Sequence, residues 1–232
     1  MSRLRWYAAV IAAVAALVPS VLPSVAAAAV IPDLLYVQME EPYWDGTPDQ
    51  VKDSSGMGHD GTAGTGASIY AGGYFGQAGK FTGTASGYLD FGSAASLVPT
   101  QAMTLEAWVR PKGIDNWASN GLVIIRPSRY YLKVRKSDGA IGAYFYNGNN
   151  QWFYGDTDIR SFGDRWTHIV ARYDPAPDLD GHRETLWMNG VKVGGWTGGT
   201  GNISPNATIP TRIGYDTYWG HLMLPYLDDF LL

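Results

Sequence analysis

The sequence predicts an all-β protein in which antiparallel strands form a sandwich or a barrel. Short runs of aromatic and β-branched residues alternate with turn signals along the chain. The composition is rich in glycine (29), tryptophan (9) and tyrosine (15), whereas only 16% of residues are charged. Aromatic and β-branched side chains fit half-buried pleated surfaces, and glycine fits the turns between strands. No window holds a helical period over more than two turns, so alternating strand and helix units are not predicted.

The elements are predicted in chain order from these runs and the turn signals between them. The first strand is expected at residues 34–39, followed by a polar, Gly-rich loop at 45–66 and a glycine cluster at 72–79. A short strand at 130–135 should pair with its neighbour at 141–146 through a turn at 137–139. Further strands are predicted at 78–81, 88–91, 103–110, 122–125, 152–154, 166–174, 186–188, 191–193, 211–214 and 226–232.

The clearest element is the strand at 166–174 together with the hairpin that follows it. Successive side chains of a strand alternate, so the even-numbered residues from Trp166 to Arg172 should share one face and the odd-numbered residues the other. The hairpin turn is predicted at Asn189-Gly190, because both turn residues need a positive φ and these two types tolerate it best.

Residues 1–29 have the features of a secretory signal peptide. Arg3 and Arg5 precede an apolar run at 6–18, and small residues at 24–28 offer a cleavage site. Pro19 and Pro23 interrupt the apolar run before it reaches the roughly 20 residues of a membrane span. We therefore expect cleavage and export, rather than an uncleaved anchor. The mature domain would be residues 30–232, secreted or at the cell surface, with no membrane span after cleavage.

The charge of the chain argues against a nucleic-acid partner. The net charge is −4 and the pI is near 5.5, whereas binding to phosphates requires a basic face. Basic residues between Arg126 and Lys136 are spread through a strand pattern. We interpret them as a solvated sheet face.

Five motifs, in order, resemble those of the laminin-G-like members of the concanavalin A-type lectin/glucanase superfamily. They are residues 53–62 (DSSGMGHDGT), 79–83 with 88–91, 103–111 (MTLEAWVRP), 166–174 (WTHIVARYD) with the Asn189-Gly190 turn, and 212–214 with 227–230. The resemblance covers essentially the whole mature chain and implies a concanavalin A-like jelly roll, a sandwich of two antiparallel sheets. This superfamily includes both sugar-binding modules and sugar-cleaving enzymes, so the fold does not decide the function.

The carboxylate pattern separates these two classes. Glucanases of the superfamily carry E-x-D-x-E or E-x-D-x-x-E on one strand, which places the carboxylates close enough for double displacement. This sequence has no such run: Glu106 and Glu184 stand alone, and the adjacent pairs at 40–41 and 228–229 should point to opposite faces. We therefore predict a protein without catalytic residues. An atypical glycoside hydrolase, with carboxylates from distant segments, is the third alternative.

The resemblance also implies a structural calcium ion. By position, its ligands would be Glu41, Asp53 and Asp228, with backbone carbonyls near Gly58 completing the shell. Calcium prefers carboxylate and carbonyl oxygens from flexible, glycine-containing loops, which is the chemistry of this segment. The alternative is that Asp53 and Asp60 only cap turns through their side chains.

Carbohydrate binding would depend on aromatic side chains in polar, loop-like segments, because a sugar ring stacks its C–H face on an indole or a phenol. Trp108, Trp166 and Trp187 lie in strong strands and are assigned to the core. The sequence thus predicts a secreted or cell-surface recognition module for a polysaccharide or other glycan, or alternatively a protein–protein adhesion or surface-assembly domain. The candidate ligand-binding residues are Trp117, Trp152, Tyr154, Trp196, Tyr218 and Trp219.

Overall fold

The computed structural model describes residues 34–117, 119–147, 152–203, 208–215, 222–223 and 226–232. The predicted signal peptide and the candidates Tyr218 and Trp219 lie outside these residues. Within them, the chain forms sixteen strands and three short 3-10 helices, at Ala95–Leu97, Ile114–Asn116 and Ile159–Phe162. The strands are β1 Tyr36–Val37, β2 Thr62–Ala63, β3 Ala67–Tyr70, β4 Ala78–Phe81, β5 Leu89–Asp90, β6 Met103–Arg110, β7 Gly121–Arg126, β8 Tyr130–Val134, β9 Ala140–Phe145, β10 Phe153–Asp158, β11 Thr167–Tyr173, β12 Glu184–Met188, β13 Val191–Trp196, β14 Arg212–Ile213, β15 Leu222–Met223 and β16 Tyr226–Leu231.

The strands build two sheets that pack face to face, so the prediction of an all-β, two-sheet antiparallel sandwich is confirmed. Sheet I has the order β13-β12-β11-β6-β16-β4-β3, with β1 also paired to β16. Sheet II has the order β10-β9-β8-β7-β14-β5-β2. These neighbours pair antiparallel, and β15 adds a short parallel pairing to β7. No helix among the described residues is long and apolar enough to cross a membrane.

The core lies between the sheets and is built by strict alternation on the central strands. On β11 the odd-numbered residues from Thr167 to Tyr173 are buried and the even-numbered ones are partly exposed, as predicted. The neighbouring strand β6 buries Leu105, Ala107 and Val109 completely. Burying one such aliphatic side chain contributes about 1.5–3 kcal/mol. This one-sided burial fixes the register of sheet I, because a slip by one residue would expose the whole apolar set.

The hairpin between β12 and β13 turns where the sequence predicts. Met188 pairs with Val191, and Asn189 and Gly190 between them have φ values of 48° and 78°. Both turn residues therefore adopt the left-handed conformation that this turn requires.

Two expectations about side-chain direction were wrong. Trp108 and Trp187 do not belong to the core: they lie on the outer side of sheet I and are partly exposed, as is Trp166 just before β11. Alternation explains this, since the inward positions of β6 are held by its aliphatic residues. Trp108 instead stacks on Tyr74, with ring centroids 3.5 Å apart.

The adjacent acids Asp228 and Asp229 also depart from simple alternation. A β-bulge interrupts the pairing of β16 with β6 at this point, and Asp229 has a φ of 42°. The Asp229 carboxylate accepts the phenol hydrogen of Tyr36, at 3.0 Å. A bulge inserts an extra residue and changes the direction of the side chains. The prediction that Asp228 and Asp229 point to opposite faces of the sheet therefore does not hold at this position.

Candidate functional site

The outer face of sheet II carries a continuous cluster of aromatic rings. Tyr131 lies opposite Tyr144 where β8 pairs with β9, and Trp152 immediately precedes β10. Trp152 lies 5.2 Å from Tyr131, 5.6 Å from Tyr144 and 6.2 Å from Tyr154, measured between ring centroids. We name these four residues, Tyr131, Tyr144, Trp152 and Tyr154, the aromatic face.

The strand pattern explains why these rings point away from the core. On β8, Tyr130, Leu132 and Val134 belong to the main core between the sheets. Tyr131 must then point to the opposite side, where it forms a separate cluster with Ile125, Tyr144 and Trp152. Tyr131 is itself buried, whereas Tyr144, Trp152 and Tyr154 are partly exposed. The three partly exposed rings are the ones that a ligand can reach.

Gly142 makes room for one of these rings. It lies on β9 opposite both Lys133 and Tyr154. A Cβ atom added to Gly142 would lie 2.5 Å from Tyr154 Cε1 and 2.6 Å from Cδ1. The Tyr154 ring therefore occupies the space that a side chain at position 142 would fill.

Two cations are packed against the aromatic face. The Nζ atom of Lys133 lies 3.5 Å from the ring centroid of Trp152, and Cζ of Arg135 lies 3.8 Å from that of Tyr154. Lys133 is only 4% exposed, so the partly exposed indole covers the ammonium group. A cation over an aromatic face gains about 0.5–2 kcal/mol, more when water is excluded. The indole is thus oriented by the charge beneath it.

These positions correct the interpretation of residues 126–136 as a solvated sheet face. Arg126 is fully buried, and its guanidinium donates to the carbonyls of Ser93 and Ala94. Lys133 is buried against Trp152. Burial of Tyr154 raises the pKa of its phenol, so this ring remains neutral at ordinary pH. The basic residues support packed structure on both sides of β8, because strong hydrogen bonds and ring contacts offset the loss of water.

The other predicted aromatic candidates lie elsewhere. Trp117 packs against the main core, and its Nε1 donates to the Lys112 carbonyl at 3.1 Å. Trp196 is 43% exposed at the end of β13, opposite Glu184. Neither makes a ring contact with the aromatic face among the described residues. Of the candidates that the structure describes, Trp152 and Tyr154 are therefore brought together, whereas Trp117 and Trp196 lie apart from them.

Glu41 and Asp53, two of the predicted calcium ligands, are engaged by hydrogen bonds from nearby backbone and side-chain N–H groups. Glu41 accepts the Trp44 indole N–H at 3.1 Å and the backbone N–H of Lys52 at 2.7 Å. Gly58, on the same loop, has a φ of 77°. Although burial raises the pKa of Asp53, its hydrogen bonds lower it, so the net shift is downward. Asp53 accepts three backbone N–H groups at 2.9–3.1 Å, from Tyr36, Ser55 and His59.

Asp228, the third predicted calcium ligand, fastens a different loop. Its carboxylate accepts the backbone N–H groups of Tyr74 at 2.6 Å and of Phe75 and Asp229 at 2.9 Å. Asp228 is fully buried, and burial raises its pKa to about 7. Like Asp53, it accepts backbone N–H groups. For Asp53 this is the turn-capping alternative that the sequence offered, and Asp60 likewise accepts the backbone N–H of Asp53 at 2.8 Å. The calcium ion itself stays a prediction.

One group of metal-type ligands does converge among the residues that the structure describes. The donor atoms of Asp178, Asp180 and His182 lie within 4.8 Å of one another; those of Glu41, Asp53 and Asp228 do not. The Lys192 ammonium lies among the three, at 2.7 Å, 2.8 Å and 2.9 Å. The lysine thus supplies the positive charge, and the group forms an ion-pair cluster.

The outer side of sheet I gathers carboxylates from distant segments. Glu106 on β6 forms a hydrogen bond with His168 on β11, with 2.9 Å between Oε1 and Nε2. Burial raises the pKa of Asp229, and the negative charges of Glu40 and Glu106 raise it further. These acids are close enough to interact electrostatically, although they do not form a carboxylate motif on one strand of the sequence. Carboxylates gathered from distant segments in this way are what the third alternative, an atypical hydrolase, requires.

Sequence reasoning identified Trp152 and Tyr154 but missed Tyr131, Lys133 and Tyr144. A signal was present: Tyr131 and Lys133 are two residues apart on one strand, and Tyr144 has Gly142 two residues before it on the next. Alternation puts each pair on one face. Which face was outer could only be decided once the strands were paired.

Comparisons with known proteins assign the chain to a fold family. Residues 81–230 match a laminin G family model described as the Concanavalin A-like lectin/glucanases superfamily. The sequence matches no curated protein.

Similar solved structures agree with this match. The binding domain of Paraclostridial Mosquitocidal Protein 1 superposes with a TM-score of 0.63 at 15% identity, over 86% of this chain and 48% of that one. Domain 4 of AbnA, a GH43 extracellular arabinanase from Geobacillus stearothermophilus, in complex with arabinotriose, gives 0.59 at 14% identity, over 86% and 90%. The receptor binding domain of botulinum neurotoxin mosaic serotype C/D gives 0.58 at 13% identity, over 86% and 46%.

The extent of these matches limits what they show. The chain spans about half the length of the two toxin binding domains and most of the arabinanase domain. At such low identity the likeness is one of fold. Together with the family match, it confirms the concanavalin A-like jelly roll that the sequence motifs imply.

Proposed function

The chain belongs to the Concanavalin A-like lectin/glucanases superfamily, and we propose that it is a non-catalytic module that binds carbohydrate through the aromatic face. The observation that carries this proposal is the contact of four aromatic rings on the outer side of sheet II, three of them partly exposed. Sugar rings stack on such surfaces through their C–H faces, and adjacent polar groups orient the hydroxyls.

The packing of the rings supports binding because it fixes them in advance. Trp152 is held by Lys133 and by two neighbouring tyrosines, and Tyr154 is held between Gly142 and Arg135. Side chains that are ordered before a ligand arrives lose little conformational entropy on binding. A pre-formed platform of this kind requires no rearrangement of the sheet.

The similar structures support a binding function at a coarser level. Two of them are binding domains of toxins, and the structure of the arabinanase domain is a complex with arabinotriose. We propose by this likeness that the present chain also binds, and that its ligand is a glycan. Export through the predicted signal peptide at residues 1–29 would place the module outside the cell; the mass of the mature secreted protein tests this.

The test is a glycan array probed with the wild-type protein, Trp152→Ala and Trp196→Ala. The last variant is the matched control, because it removes an indole that makes no ring contact with the aromatic face. We expect Trp152→Ala to weaken binding about tenfold or more, or at least ~1.4 kcal/mol, while the protein stays folded at the assay temperature. Undiminished binding by Trp152→Ala, or an equal loss in Trp196→Ala, rejects the aromatic face as the site.

A protein-binding function has one observation in its favour. Tyr74 and Phe75 are 47% and 56% exposed on the loop over sheet I, and Tyr74 is fixed by its stack on Trp108. Exposed apolar groups of this kind serve adhesion equally well. If no glycan is retained, and a bound extracellular protein is released by Tyr74→Ser together with Phe75→Ser, adhesion replaces carbohydrate binding.

A further inference from the structure

An open cleft beside the aromatic face is lined by an excess of basic side chains. Its volume is about 820 Å³. Three of the lining residues are basic and one is acidic, in a chain whose net charge is −4. The lining residues are Asp115, Ser119, Asn120, Arg135, Lys136, Ser137 and Arg160.

Arg135 joins this cleft to the aromatic face. Its guanidinium lies over the Tyr154 ring at 3.8 Å and also lines the cleft. Because Arg135 borders both surfaces, a glycan stacked on Trp152 would extend toward the cleft. Such a chain of sugars would meet an aromatic surface at one end and three cationic side chains at the other.

The two arginines of the cleft are held in place by ion pairs with carboxylates. Arg135 pairs with Asp138, and Arg160 Nε pairs with Asp158 at 2.8 Å; neither aspartate lines the cleft. Asp115 does line it, and accepts from Arg160 Nη1 at 3.0 Å. These hydrogen bonds raise the pKa of both arginines, so both stay charged. Each guanidinium has five N–H donors, which leaves donor capacity for an oxyanion.

We infer that this protein prefers acidic glycans, whose carboxylate or sulfate groups enter the cleft while a neighbouring sugar ring stacks on Trp152. The inference rests on the proposed carbohydrate binding and specifies its ligand class. Planar guanidinium groups recognise both carboxylate and sulfate-type oxyanions by paired hydrogen bonds. Lys136 adds a point charge, and its Nζ is anchored to the Trp117 carbonyl.

The experiment compares polymers that differ only in charge. One probe pair is polygalacturonate and its methyl ester. The other series is chondroitin sulfate, its desulfated form and the desulfated, carboxyl-reduced form. We expect at least about tenfold weaker binding to the neutral members, and the preference should shrink as added salt screens the charges. The step at which binding falls within the chondroitin series identifies carboxylate or sulfate as the recognised group.

Three variants and one control variant separate this inference from the function on which it rests. Arg160→Gln and Lys136→Gln should each reduce the preference for charged polymers while binding of neutral glycans persists. Lys52→Gln is the matched control, since it removes an exposed lysine from another loop. Trp152→Ala should weaken binding to charged and neutral glycans alike. Glycan binding with no preference for charge overturns the inference alone, whereas retention of no glycan at all overturns the proposed function.

Discussion

Substituting Gly142 by alanine tests whether the space left by this glycine positions Tyr154. The added Cβ would lie 2.5 Å from Tyr154 Cε1, whereas ordinary van der Waals contact begins near 3.4 Å. The ring must therefore move by about 0.9 Å, the difference between these two distances. Arg135 over its face and Trp152 beside it restrict where it can go.

The expected cost follows from two opposing effects. Overpacking a well-filled site costs about 1–3 kcal/mol. Replacing glycine by alanine within a strand is otherwise favourable by about 0.5–1 kcal/mol, because the unfolded chain loses freedom. Gly142→Ala should therefore destabilise the protein by up to about 2 kcal/mol. In a Tyr154→Ala background both close ring contacts vanish, and the nearest remaining atom is the Phe153 carbonyl oxygen at an acceptable 3.4 Å. There the same substitution should stabilise the protein by about 0.5–1 kcal/mol.

Urea unfolding of the wild type, the two single variants and the double variant measures this coupling. A coupling energy of about 1–3 kcal/mol, with a change of sign between backgrounds, is expected from the contact. Equal effects of Gly142→Ala in both backgrounds would show that Tyr154 does not lie against Gly142, and would refute this geometry of the aromatic face. Glycan affinity should fall in Gly142→Ala, because the displaced ring leaves the platform.

The remaining predictions concern protons, calcium and catalysis. Burial raises the pKa of Asp228 to about 7 in the folded protein, against about 3.9 in an unfolded chain. The folded state therefore binds this proton more tightly, and the resulting stabilisation is greatest below about pH 4 and is lost as the pH rises through about 7. The urea midpoint in EDTA should thus be higher at about pH 5 than at about pH 8, and Asp228→Asn should flatten the difference; an equally steep dependence in the variant contradicts this. If Glu41, Asp53 and Asp228 hold calcium, added calcium raises the Tm and EDTA lowers it. A Tm that neither treatment changes rejects the calcium site. Bound glycans should release no more reducing ends with wild-type protein than with Glu106→Gln.

The central strands could be predicted because their pattern and boundaries agree. Residues 78–81 and 103–110 were predicted as strands, and the structure has β4 and β6 at those bounds. Pro111 ends β6, and one-sided burial gives β6 and β11 a clear period of two. Strand β3, at Ala67–Tyr70, was missed because it is a short edge strand between glycine-rich segments, and its partner β4 defines it more than its own residues do. Strand β2 was placed in a loop for the same reason.

The candidate site could be predicted only in part. Trp152 and Tyr154 stood out because they flank a polar segment rich in asparagine and glycine. On β8 all five residues from Tyr130 to Val134 are buried. The sequence of this strand therefore does not indicate which side chains face the core and which face outward. Pairing with β9 and β10 is what places Lys133 beneath Trp152. The charged cleft could not be predicted from the sequence at all, because Arg135 and Arg160 come from different segments and meet only in the folded protein.

The burial of Lys133 leads us to expect that Trp152 can be removed without unfolding the protein. A charged side chain that is nearly inaccessible loses hydration, and the contact with the indole face at 3.5 Å offsets part of that loss. Removing the indole opens the ammonium group to water, which restores its hydration in place of the ring contact. The regained hydration offsets part of the lost ring contacts, and the main core on the other side of β8, which does not include Trp152, should stay intact. For this reason a fall in glycan binding by Trp152→Ala would report the loss of a contact surface, and a large fall in its stability would contradict this account of Lys133.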